Sequence, residues 1–133
     1  MEVKYVIFCD DIRIETNGKQ IIIGAYLGNA VLPTFPQPFA LMAWVHFVQP
    51  ETGEIPFKFL WKVGREKTQV TEIKATARIR APADFSVFHM GQIFFNIDNP
   101  GDHLVLEFSQ HDEEPNEVAR LKFELPPKPT SSV

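Results

Sequence analysis

FSVFHMGQIFFNIDNPGDHLVLEFSQ, running from Phe85 to Gln110, is the stretch whose reading decides the fold. Ile93, Phe95 and Ile97 alternate with Phe94 and Asn96, Asn99-Pro100-Gly101 supplies a turn, and Leu104, Leu106 and Phe108 then alternate with His103, Val105, Glu107 and Ser109. Alternation sends neighbouring side chains to opposite faces of a strand, so the stretch reads as a β-hairpin with one apolar and one mixed face. A lone hairpin is marginal in water, so further strands must cover that apolar face.

The flanking sequence supplies them. Val3 to Glu15 is extended, with Val6, Phe8, Ile12 and Ile14 on one parity and Tyr5, Ile7 and Cys9 on the other. Asp10-Asp11 interrupts this pattern and predicts a bulge or a bend where the strand reaches an edge of the sheet. Asn17-Gly18 is a strong hairpin signal leading to a return strand over Gln20 to Leu27. Pro33, Pro36 and Pro38 exclude a helix or a central strand and predict a surface crossover. Phe39 to Gln49 is apolar on both parities, as a central strand is. A turn over 50–54 precedes Ile55, Phe57, Phe59, Trp61 and Val63, and a charged loop separates these from the alternating segment 69–81. Ala119, Leu121, Phe123 and Leu125 alternate with Arg120, Lys122 and Glu124 in a last strand. The pattern predicts an all-β chain, an antiparallel β-sandwich of about eight strands. One domain is expected over residues 1–125, followed by a flexible proline-rich tail over 126–133.

Composition narrows the function classes. The chain has 133 residues, 44% hydrophobic and 23% charged, which is ordinary for a globular domain and unlike a disordered one. Its apolar runs are too short to cross a bilayer, so no membrane span is expected. A net charge of −4 with scattered Lys and Arg carries no footprint for nucleic acid. Cys9 is the one cysteine and cannot form an internal disulfide, and the amino terminus lacks the features of a secretory leader. Both observations point to a cytoplasmic setting.

The residues that could carry chemistry are few. Asp10, Asp11 and Arg13 form a polar cluster in an otherwise apolar strand, and carboxylates of this kind can hold a hard cation. Adjacent strand residues face opposite ways, however, and further ligands would have to come from Asp98, Asp102, Asp112, Glu113 or Glu114. A local Asp–Arg pair is the favoured reading, and no metal is assigned. The four histidines show no chelating spacing; His103 and Glu107 share a face but lie roughly 13 Å apart at about 3.3 Å per residue. Cys9 sits in an apolar run that argues for burial rather than nucleophilic use. No catalytic residue and no cofactor is assigned, and the expectation is a protein that is not an enzyme. Phe88, Met90 and Phe94 fall opposite in parity to Val87, Ile93 and Phe95, which predicts an apolar outer patch suited to an interface.

Two resemblances add to this. Cys9-Asp10-Asp11-Ile12-Arg13, Asn17-Gly18-Lys19 and Ile22-Ile23-Gly24-Ala25-Tyr26, followed by the proline-bearing crossover, resemble a family of small uncharacterised bacterial and phage proteins. That resemblance implies a prokaryotic or phage source and no mechanism. Asn99 to Leu106 is similar to the penultimate hairpin of immunoglobulin-like domains, with His103 where tyrosine is common, which implies an immunoglobulin-like sandwich. Three function classes follow. A non-catalytic protein-interaction module, as a homodimer or with an unidentified protein partner, is favoured because three segments are apolar on both parities while a sandwich buries one face of each sheet. A divalent-ion or small-ligand binding domain using acidic end loops is the alternative, and an enzyme is third.

Overall fold

Period-two alternation produces strands here because each buried side chain then shares a core with every second neighbour. The computed structural model describes residues 1–49, 51–64, 69–81 and 83–128. Among these it contains nine strands: β1 (Glu2–Ile14), β2 (Gln20–Ala25), β3 (Asn29–Val31), β4 (Gln37–Gln49), β5 (Gly53–Val63), β6 (Gln69–Ile79), β7 (Ala83–Ile97), β8 (His103–Gln110) and β9 (Asn116–Glu124). They form two sheets, ordered β2-β1-β4-β7 and β3-β9-β8-β5-β6, packed as a β-sandwich. No helix long and apolar enough to cross a membrane occurs among the described residues. Pro126 to Lys128 are exposed and irregular, and residues 129–133 of the expected tail lie outside the described residues.

The core joins the two inner faces. Phe59, Trp61, Leu104, Leu106, Leu121 and Phe123 from the second sheet meet Phe8, Leu41, Val45, Phe95 and Ile97 from the first. Phe8 packs 5.7 Å from Trp61, and Phe39 meets Phe123 edge-on at 4.9 Å. Burying each such side chain contributes about 1.5–3 kcal/mol.

The organising stretch departs from its expected form. β7 lies in the first sheet and β8 in the second, so residues 98–102 carry the chain across the sandwich rather than closing a hairpin. The turn is tied to β9 instead: the Gly101 amide donates to the Phe123 carbonyl at 2.7 Å, and the Phe123 amide donates to the Asp102 carbonyl at 2.9 Å. The buried Asp102 carboxylate closes the loop by accepting the Asn99 amide at 3.2 Å. Alternation describes each arm equally well in either arrangement, so it does not distinguish them.

Parity also changes within β7. Leu41 pairs with Ile93 and Ala43 with Met90, so Gly91 and Gln92 together oppose Met42 in a β-bulge. The extra residue rotates the strand by one position, and both Phe88–Met90 before it and Ile93–Phe95–Ile97 after it reach the core. Phe88 stacks on Phe59 at 5.8 Å and meets Phe57 edge-on at 5.4 Å, and Met90 is 3% exposed. The expected outer patch of Phe88, Met90 and Phe94 therefore reduces to Phe94 alone. Gly91 permits the bulge because a Cβ there would run into the Met42 side chain.

Two further expectations are corrected. Asp10-Asp11 carries no bulge: β1 pairs with β2 in one register from Cys9–Ala25 to Ile14–Gln20, and its shift lies between Val3 and Tyr5. The expected edge is there, because Asp10-Asp11 marks where β1 leaves β4, whose last partner is Cys9, and of the bulge and the bend only the bend fits the unshifted register. The proline-bearing crossover is not merely surface. Its Asn29–Val31 segment adds β3 parallel to β9, making that sheet mixed, with Ala30 and Leu32 buried and the Leu32 amide donating to the Glu124 carbonyl at 2.9 Å.

Candidate interaction edge

Two sheets leave four edge strands: β2, β7, β3 and β6. An edge exposes a row of ladder donors and acceptors, and soluble proteins blunt it with short strands, charge, proline or bulges. β3 has only three residues. β2 has six and is kinked by Gly24, whose φ of +67° is a left-handed conformation. β6 carries Glu72, Lys74 and Arg78 on its outer face. β7 differs in kind: it is 15 residues long and its register against β4 shifts twice, at Gly91-Gln92 and between Ser86 and Ala83, but from Phe85 to Ile97 it has no Lys, Arg, Asp, Glu or Pro, and its segment after the bulge runs unbroken from Ile93 to Ile97.

The neighbouring strand shows which backbone groups of β7 point to the open side. Pro38 has no amide hydrogen, so its pair with Asn96 is of the non-hydrogen-bonded kind, and Gln37–Ile97 and Phe39–Phe95 carry the ladder bonds. Phe94, paired with Ala40, belongs to the same class as Asn96 and turns its N–H and C=O away from β4. Its side chain is 70% exposed and borders a shallow cleft of about 140 Å³ with Pro38, Phe39, Phe95 and Asn96. Phe94 thus combines an outward ring with outward ladder groups.

The outer face of the same sheet continues this surface. Tyr5 stacks against Trp44 at 6.3 Å and lies 4.8 Å from His46. Trp44 Nε1 donates to Gln20 Oε1 at 2.6 Å although Gln20 pairs with Ile14 at the far end of the β1–β2 arm. A straight β1 would carry Ile14 roughly 23 Å beyond Ile7, the partner of Trp44, so the arm curls back over this face. Cys9 lies there with no exposed surface, its thiol 3.7 Å from the Met42 carbonyl. Burial, reinforced by the charges of Asp10 and Asp11, pushes its pKa up to about 11, which leaves it a protonated thiol at neutral pH. Burial likewise lowers the pKa of His89 and favours its neutral form.

The acidic cluster is used locally. Asp10 Oδ1 accepts the Tyr26 hydroxyl at 2.6 Å, and burial together with this bond raises the Tyr26 pKa. Asp11 accepts the Ile12 amide at 2.9 Å and Arg13 Nε at 3.1 Å, the expected Asp–Arg pair. Among the described residues no three His, Cys, Asp or Glu side chains come together as a metal site, so Asp98, Asp102, Asp112, Glu113 and Glu114 do not complete one with Asp10 or Asp11. One feature absent from the sequence reading is a cleft of about 470 Å³ bordered by Pro56, Lys58, Lys74, Thr76, His111 and Asp112. Lys58 and Lys74 are direct cross-strand partners there, a register that no local pattern reveals.

Neither the curated proteins nor the solved structures yield a match to the chain. A family model covers residues 4–124, which takes in every strand from the bulk of β1 to the end of β9. The chain belongs to that family, DUF6941, a family of unknown function.

Proposed function

We propose that this protein is a non-catalytic protein-interaction module whose contact element is the open edge of β7. The observation that carries the reading is the contrast among edges: beyond its bulge β7 keeps a regular, uncharged segment over Ile93 to Ile97 that bears an exposed Phe94, whereas β2, β3 and β6 are short, kinked or charged. An incoming strand would gain ladder bonds from the backbone and apolar contact from Phe94. The buried, protonated Cys9 supplies no nucleophile, and as a free thiol it supports a cytoplasmic setting. An immunoglobulin-like arrangement is supported by the sheet order, since β9-β8-β5-β6 and β1-β4-β7 follow the G-F-C-C′ and A-B-E sequence of such sandwiches. The test is the size of the complex that contains the protein in a gentle extract of its native host. Wild type should elute well above its 15.2 kDa mass and a Phe94→Lys variant at that mass. A monomeric wild type, or a variant that keeps the complex, overturns the reading.

A second reading, small-ligand binding, rests on the Lys58–Lys74 cleft. Like charges directly opposite on neighbouring strands cost free energy; Glu72, 3.3 Å from Lys74, offsets part of it, and an anion against Lys58 would offset the rest. The ligand class is then a small anion rather than a divalent cation, and added phosphate should raise the melting temperature of wild type more than that of Lys58→Ala.

A further inference from the structure

We infer that the strand received by the β7 edge is the β7 of a second copy of this chain, in an antiparallel register centred on Phe94. The inference rests on the reading of β7 as the contact element and adds the identity and alignment of its partner.

Symmetry carries it. A twofold axis beside Phe94 sets that residue opposite the partner's Phe94, and sets residues equally spaced on either side against one another. Around that centre the sequence Gln92-Ile93-Phe94-Phe95-Asn96 reads as a palindrome by side-chain class. On the outer face, exposed Gln92 falls opposite the partner's Asn96, an amide against an amide. On the inner face, half-buried Ile93 falls opposite the partner's buried Phe95, which continues the core across the junction. Because the Phe94 backbone faces the open side, the central pair exchanges both ladder bonds, with its Cα atoms about 5.5 Å apart. The two first sheets become one continuous sheet, and the two exposed phenyl rings cover each other.

Charge points the same way. Each chain carries a net charge of −4, so two copies repel over most approaches, yet from Phe85 to Ile97 there is no Lys, Arg, Asp or Glu, and burial favours the neutral form of His89. Assembly also closes at two. Pairing consumes both β7 edges, and the remaining edges of each copy are the short, kinked or charged ones.

Sedimentation velocity of the purified chain across a concentration series tests this with charge-swapped variants. Wild type should approach twice 15.2 kDa, and Phe94→Lys and Phe94→Glu should each remain at 15.2 kDa. An equimolar mixture of the two should recover the doubled mass, because the centred register places lysine against glutamate. On an otherwise native chain, Phe94→Cys should be linked into a dimer by a short bifunctional thiol reagent, since the two central Cβ atoms lie about 5.5 Å apart. It answers the question if the charged variants fail to fold. A wild type that stays monomeric overturns the second copy as partner. If the host complex still depends on Phe94 in that case, the edge reading survives without it. A wild-type dimer whose mixed variants do not recombine, and whose Phe94→Cys chains do not link, overturns the register.

Discussion

Gly24 and Cys9 show how single residues set the geometry where β1 leaves β4. Gly24 sits opposite Asp10 with φ at +67°, and a Cβ there would meet the Asp10 carboxylate that holds the Tyr26 hydroxyl. Gly24→Ala combines a strained backbone with a displaced acceptor and should cost about 1–3 kcal/mol, read by urea denaturation. Cys9 responds to pH. Its folded pKa is raised from 9.0 to about 11, so its contribution to stability is complete below pH 9 and declines as pH rises toward 11. Wild type should therefore lose melting temperature over that window more steeply than Cys9→Ala. A thiol reagent at neutral pH should leave Cys9 unmodified until the protein unfolds. Burial of Cys9 was legible in its apolar neighbours. The bond between Tyr26 and Asp10 was not, because it joins residues brought together only by the β1–β2 register.

β7 shows the same limit for an element. Its alternation is legible on each side of Gly91, but the change of parity between the halves is not, and without the bulge that change reads as a strand apolar on both faces. The bulge removes the conflict: Met90 is 3% exposed and Phe94 70%. Met90→Ala should cost about 2–5 kcal/mol as a core truncation, whereas Phe94→Ala should stay within about 0.5 kcal/mol for a monomer. Equal costs at the two positions would mean that the bulge does not rotate the strand. The bulge itself depends on Gly91 lying beneath Met42. Gly91→Ala should destabilise the wild-type chain and be nearly neutral in a Met42→Ala background, a coupling of at least about 0.5 kcal/mol in a double-mutant cycle.

At the scale of the molecule, what could be read from the chain was whatever local periodicity determines: the Asn17-Gly18 hairpin, the one-sided strands β5, β6 and β9, the central β4, and from these a sandwich. What could not be read depends on pairings between distant segments: β3 against β9, β4 against β7, β5 against β8, and the passage of residues 98–102 between sheets. Each of these pairings lies within one sheet, and it is the packing of the two inner faces that ties the sheets into one unit. The tryptophans provide a reporter in each, Trp44 on the outer face of the first sheet and Trp61 buried in the second. Since Phe8 and Phe95 of the first sheet pack directly on Trp61, neither sheet can open without exposing the other's inner face. Single-tryptophan variants Trp44→Phe and Trp61→Phe should therefore each melt in one transition that coincides by fluorescence and by circular dichroism. Adding Leu32→Ala removes a buried side chain beside β3, an edge strand that pairs with neither of the strands carrying the reporters, at a cost of about 2–5 kcal/mol. That cost should lower the fluorescence and circular dichroism transitions of each variant together. If the Trp44 signal were lost first, or if Leu32→Ala moved the Trp61 transition alone, the sheets would be separate folding units and the shared core would not be what holds the sandwich closed.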